Sequence, residues 1–439
     1  MAGLACHLKA AGFTISGSDI TESGITAWLR EQGIDVCEGH VAANLPEGAL
    51  CIIRTPAVPD SNPELALART RFVPIIARGV ALPAYLEAFE SIAVCGTHGK
   101  TTTAGMIAHI LAVAGVSRAY CLGGEAPTLD GVARAGPGPI VVEADESDGT
   151  VRLYRPTIGV ITNIEFDHME HFDSEASFSA SFESFASQVR DCLMYWGQDP
   201  RAVEASTAAC RRKSFGLGEN FDFSAKIVER TESMSRFELR IPDDGSVEFR
   251  VNLPGDYNVL NGVAAVAGAH AAGVSADKIV RALASFRGVR RRFERIPDTG
   301  DVMVISDYAH HPTELRAVIG AAGRLKFNRL HAIFQPHRYS RTRSLLKNFP
   351  PALRGVDNLV LAPVYAASEP PLEGGTSQDL VAEFRRHQAP IPQLASSLED
   401  AWRLVQEAVR PGDLVLILGA GDIEKIATWA STSYATNQR

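Results

Sequence analysis

Ile92-Ala93-Val94-Cys95-Gly96-Thr97-His98-Gly99-Lys100-Thr101-Thr102-Thr103 decides the fold. An apolar, strand-like run ends at Cys95, a glycine-bracketed turn follows, and a lysine and three hydroxyls lead into a helical pattern over 104–114. Glycines let backbone N–H groups come close to phosphate oxygens. The helix N-terminus adds a partial positive charge. The turn therefore reads as a nucleotide triphosphate site made by Gly96, Thr97, His98, Gly99, Lys100, Thr101 and Thr102, with Lys100 on the terminal phosphates and a threonine hydroxyl on Mg²⁺. It has the short form G-x-x-G-K-T, because Val94 stands where the common longer loop has its first glycine. An ordinary strand-to-helix turn would not need the lysine and the hydroxyls at these places.

At 439 residues the chain is too long for one core and predicts two or three domains. Hydrophobic content of 46% with 21% charged residues describes a soluble globular protein. A net charge of −8 with no long basic run argues against nucleic acid as a partner. Apolar runs such as 414–420 are too short to cross a bilayer, and the start lacks a signal-peptide layout. The seven cysteines are scattered, with no C-x-x-C, which suggests a reducing cytoplasm rather than a disulfide or zinc framework.

Short strands and helices alternate in the first segment: strands over 13–16 and 50–53, helices over 24–32 and 62–69. The chain opens on a helical pattern over 2–11, where a nucleotide-binding α/β unit ordinarily begins with a strand and a glycine-rich turn. The expectation is of a truncated or late-placed start. A second unit, 90–294, carries the phosphate loop, strands over 140–142 and 158–162, and a β-rich insertion around 221–253. A third, 295–439, has strands over 302–306, 330–334, 358–362 and 414–418 and is again α/β.

Chemistry-bearing residues collect at the ends of these strands. Glu143-Ala144-Asp145-Glu146-Ser147-Asp148 follows one of them, and carboxylates delivered downstream of a phosphate loop suit Mg²⁺. Asn163-Ile164-Glu165-Phe166-Asp167-His168 follows the next, with His168 as a metal ligand and Asp167 orienting it. Arg290-Arg291-Arg292 at the second boundary is either a basic linker or a guanidinium reaching phosphate charge. In Asp307-Tyr308-Ala309-His310-His311, adjacent histidines diverge on an extended backbone and no further ligand is evident. Asp307 on a ribose hydroxyl and Tyr308 beside a base or small substrate fit better than a metal. Gln335-Pro336-His337-Arg338-Tyr339-Ser340-Arg341 suits a carboxylate ligand.

Taken in order, Gly96–Thr103, Glu143–Asp148, Thr162–His168, Arg291–Glu294, Asp307–Glu314 and Phe334–Tyr339 resemble the Mur ligase family over nearly the whole chain. The resemblance implies three domains: an N-terminal Rossmann-like UDP-substrate domain lacking its first strand (1–89), a central P-loop ATPase-type domain (90–294) and a C-terminal Rossmann-like domain (295–439). It implies a cytoplasmic, ATP- and Mg²⁺-dependent ligase of peptidoglycan synthesis. Such an enzyme joins L-alanine to the lactyl carboxylate of UDP-N-acetylmuramate through an acyl phosphate. Residue by residue it implies Lys100, Glu143, His168 and Arg292 in catalysis and Thr101, Glu143 and His168 on the metal. Asn258, Asn261, Arg292 and Asp307 would meet the nucleotide. Ser18, Asp19, His40, Tyr308, His337, Arg338 and Arg341 would meet the substrates. The family's N-terminal strand and its G-x-G-G-x-G loop do not precede Met1, Tyr257 stands for a usual histidine, Ser368 for a glycine and Pro56 for a serine. Two alternatives stay open: a recycling ligase that adds a tripeptide to the same UDP-sugar, and a nucleotide-binding remnant that has lost the UDP-sugar site.

Overall fold

A computed structural model describes residues 1–169, 171–297 and 299–435. Its centre is a sheet in which the strand Ser91–Cys95 lies between Ile158–Ile161 and Ile140–Glu143, parallel to both. A parallel strand covered on both faces must be apolar throughout, and Ser91–Cys95 is buried at every position. Its side chains alternate between two cores. Ile92 and Val94 join the cluster that includes Met106, Ile110, Val263 and Phe286, whereas Ala93 and Cys95 join Phe178, Phe182 and Phe185 on the opposite face.

The helix Lys100–Val113 begins at the lysine itself, so Thr101, Thr102 and Thr103 are its buried first turn rather than a loop before it. Gly99 takes φ +82 ahead of it, a conformation that costs glycine little. Asp256–Ala271 packs on this helix, and small residues on both (Ala104, Ala108, Ala264, Ala265, Gly268) let the backbones approach. The expected β-rich insertion is three antiparallel strands, Phe223–Arg230, Ser235–Ile241 and Gly245–Val251, which extend the central sheet to ten strands.

The C-terminal unit is a six-stranded sheet. Leu414–Leu418 lies between Met303–Asp307 and Leu330–Phe334, all parallel, so these two successive strands are parted by the last one, the arrangement whose C-terminal strand ends open a crevice. In the N-terminal unit two separate parallel pairs form, Ser16–Asp19 with Asp35–Glu38 and Ile52–Arg54 with Ile75–Ala77. Here two strand expectations shift towards the C-terminus. The strand predicted over 13–16 is Ser16–Asp19, and that over 50–53 is Ile52–Arg54. Phe13 and Leu50, the apolar residues that suggested the earlier starts, are 51% and 76% exposed. Apolar character marked these segments, but pairing with the neighbouring strand set their ends.

Candidate active site

The phosphate loop is held by the end of the neighbouring strand. The Thr97 N–H donates to Asn163 O at 3.0 Å, the His98 N–H donates to Asn163 Oδ1 at 2.9 Å, and Asn163 Nδ2 returns a bond to His98 O. Gly96 has φ +125, and a Cβ there would lie 2.2 Å from Thr162 Oγ1 and 2.7 Å from the Asn163 carbonyl oxygen. Gly96→Ala is therefore expected to cost about 2 kcal/mol or more from the left-handed backbone alone, with steric clash added. Chemical denaturation checks it, and nucleotide affinity should fall with stability.

Lys100 Nζ caps the loop from inside. It donates to Gly96 O at 2.7 Å and Thr97 O at 3.2 Å and pairs with Glu146 Oε1 at 2.8 Å. Burial opposes the lysine's charge, but Glu146, Asp145 and Glu143 outweigh it and raise the pKa. His168 Nε2 lies 3.6 Å from the same Glu146 oxygen. His168 sits at φ +58, a strained backbone of the kind that gathers at functional sites. Glu146 Oε2 is buried with no hydrogen-bond partner among the described residues. Glu143, the expected ligand, instead accepts the Gly123 N–H at 3.0 Å. Glu146 and His168, 3.6 Å apart, would suit a hard divalent cation, and the orphaned Glu146 oxygen supports that reading.

The C-terminal unit closes on this cluster through charged and polar contacts. Arg341 forms a bidentate pair with Asp167 at 2.9 and 3.1 Å, both side chains nearly fully buried. Burial would raise the Asp167 pKa, but Arg341 and His168 hold it well below the usual carboxylate range. Arg341 Nη1 also lies 3.0 Å from His337 Nδ1. Burial first, then His310 and the arginines, depress His337 to about 2, while burial takes His310 down to about 4, so both rings are neutral. Arg291 and Arg292 stack over Tyr308 at 4.7 and 4.9 Å. Arg291 is also tied to the carbonyls of Gly419 and Gly421 and so reaches into the crevice, whereas Arg290 stays exposed and pairs with Glu294.

His98 is a second junction. Its ring donates to Glu165 at 2.8 Å and to Glu314 of the C-terminal unit at 3.1 Å. Glu314 is the capping-box residue of the helix Pro312–Ala322 and also accepts the His310 and His311 N–H groups. Burial works against a charge on His98, yet the two carboxylates raise its pKa from 6.5 to about 9. A raised folded-state value means that this ion pair stabilises fully below pH 6.5 and is lost as pH rises through about 9. Docking of the two units is accordingly expected to weaken between these limits. Glu314→Gln should flatten that slope, as read by thermal melts across pH.

Asp307 accepts the N–H groups of Phe293 and Ala309 at 2.7 Å each, and burial lifts its pKa to about 6 despite Arg292. Asn261 Nδ2 lies 3.3 Å from Asn258 Oδ1, and a Cβ at Gly99 would come within 2.4 Å of Asn261 Oδ1, which puts this pair beside the phosphate loop. Arg338, at φ +67, pairs with Glu369. Ser18 lies 2.9 Å from His40 Nδ1 and donates to Glu64 at 2.9 Å in the N-terminal unit, where Asp19 ends its strand. Glu146 and Glu165 stand inside the acidic runs read at the strand ends, but neither is distinguished there from its neighbours. Glu314 is marked in the sequence only as an acid three residues into a helix opened by proline. The sequence also gave His311 no further ligand, whereas the fold sets His98 and Glu165 beside it.

Three family models match in register along the chain: "Mur ligase family, catalytic domain" over 1–90, "Mur ligase middle domain" over 94–269 and "Mur ligase, glutamate ligase domain" over 291–421. A UDP-N-acetylmuramate–L-alanine ligase of Anaeromyxobacter sp. (strain Fw109-5) is 38% identical over 96% of this chain and 93% of its own length. One from Carboxydothermus hydrogenoformans is 35% identical over 97% and 92%. The crystal structure of UDP-N-acetylmuramate-alanine ligase from Thermotoga maritima superposes with a TM-score of 0.83 at 29% identity, over 99% of this chain and 98% of that one. A murein peptide ligase from Psychrobacter arcticus 273-4 shares the fold, with a TM-score of 0.73 at 22% identity over 98% and 96%.

Proposed function

The chain belongs to the Mur ligase family, and from that premise we propose that it is an ATP-dependent ligase joining L-alanine to UDP-N-acetylmuramate. The observation that carries this reading is the Arg341–Asp167 pair. It seats His337, Arg338 and Tyr308 of the C-terminal unit against the strand end that bears His168, one residue from the pair and 3.6 Å from the lysine-bound Glu146.

A carboxylate is a poor acyl donor. One lactyl carboxylate oxygen attacks the γ-phosphorus of ATP, ADP leaves, and the acyl phosphate that results carries a good leaving group. Lys100 and the loop N–H groups spread the charge that develops on the transferred phosphoryl oxygens. Thr101, Glu143, Glu146 and His168 would hold Mg²⁺, which when bound neutralises phosphate charge. The amine nitrogen of alanine then attacks the acyl carbon, phosphate leaves with its bonding pair, and the amine sheds a proton. Neutral His310 and His337 add no further positive charge against the incoming amino group, and Arg338 offers a guanidinium to the amino-acid carboxylate. Arg341 keeps that pocket docked on Asp167. Asp307, Asn258 and Asn261 are the nucleotide contacts on this reading, and Ser18, Asp19 and His40 the sugar-nucleotide ones. Positioning across three units supplies much of the catalysis. The free cysteines, four of them buried or half-buried, suit a cytoplasmic setting.

Phosphate release measured with UDP-N-acetylmuramate and ATP, offering L-alanine or a tripeptide in turn, tests the acceptor. Release with L-alanine is expected. Release with the tripeptide alone would make the protein a recycling ligase instead.

A further inference from the structure

We propose that His98, Glu165 and His311 form a second cation site, for Zn²⁺ or a similar borderline ion, placed across the junction between the phosphate loop and the C-terminal unit. Each residue offers one ligand atom, and these atoms all lie within 4.8 Å of one another. Glu165 Oε2 is 2.8 Å from His98 Nε2 and 3.8 Å from His311 Nδ1. Tetrahedral zinc with bonds of about 2.0–2.1 Å spaces its ligand atoms roughly 3.3 Å apart, so the two separations to Glu165 bracket that value. Small side-chain rotations close the set. His311 is 3% exposed, the Nδ1 that faces Glu165 takes a long 3.3 Å contact from the Thr313 N–H, and its Nε2 has no hydrogen-bond partner among the described residues. A buried imidazole so poorly satisfied calls for a ligand. Two imidazoles and one carboxylate select zinc-like ions over Mg²⁺, which prefers oxygen. The site is thus distinct in place and chemistry from Thr101, Glu143, Glu146 and His168.

The ion would replace the ring hydrogen that His98 shares with Glu165 and join two units that now meet through hydrogen bonds. It would favour the docked state and slow opening, so free Zn²⁺ is expected to inhibit turnover even in excess Mg²⁺. The test is a titration of the full chain with Co²⁺ in the absence of nucleotide, which chelates divalent ions. One equivalent is expected to give visible bands of low-coordinate nitrogen–oxygen ligation without a thiolate charge-transfer band. His311→Asn keeps a good helix N-cap. It should weaken Co²⁺ binding, and raise the Zn²⁺ concentration that inhibits, by more than about tenfold. Glu165→Gln, which keeps the acceptor for Thr313, is the second variant should the first fold poorly, and the same loss is expected. Absence of Co²⁺ binding, a thiolate band, or unchanged affinity in both variants would overturn the site.

Discussion

Lys100→Met is expected to lower kcat by roughly 10³-fold or more, because the lysine is the fixed cation for the transferred phosphoryl group. It should also destabilise the fold. Glu146 is 1% exposed in its side chain and would lose its partner at 2.8 Å. Breaking a buried pair from one side costs about 3–5 kcal/mol. The two effects are separable. Lys100→Met combined with Glu146→Gln removes both charges and should recover much of the stability, as read by denaturant unfolding, while activity stays lost. A double variant that regained turnover would show that Lys100 serves the fold and not the chemistry.

Asp167→Asn is expected to have the next largest effect. Arg341 is 2% exposed and would be left with a neutral partner, again at about 3–5 kcal/mol. That cost falls on the junction between units and not on either core, since Asp167 belongs to the central unit and Arg341 to the C-terminal helix Tyr339–Ser344. Amide protection in that helix should therefore collapse, while ATP binding measured alone by calorimetry weakens only by the share that Asp307 of the C-terminal unit supplies and keeps the part made by the phosphate loop. Amide formation should fall with protection. Unchanged exchange in Tyr339–Ser344 would mean that the pair does not hold the units together.

The site was partly legible in the sequence because its residues follow strands, and strands of this type advertise themselves. Ile92–Cys95, Ile140–Val142 and Ile158–Ile161 are unbroken apolar runs, each ending in polar residues, so the phosphate loop, the Glu143–Asp148 acids and the Asn163–His168 stretch could be placed at one edge. Which acid meets the lysine was not legible. Glu143 stands closest to its strand, but its carboxylate turns to the Gly123 N–H, and the chain brings Glu146 back to Lys100. That choice depends on the turn between them and not on spacing. Contacts between units left still less trace. The His98–Glu314 bond spans 216 positions and the Arg341–Asp167 pair spans 174, distances over which no local pattern operates. In the N-terminal unit, short half-exposed strands gave a weaker signal, and Phe13 and Leu50 drew the expected strands off register.

The central claim is that the carboxylate is activated by phosphoryl transfer. It is tested by supplying UDP-N-acetylmuramate labelled with ¹⁸O in its lactyl carboxylate, together with ATP and L-alanine, and weighing the phosphate released. The account predicts that each phosphate carries one labelled oxygen from the carboxylate. Amide formation accompanied by unlabelled phosphate would contradict it.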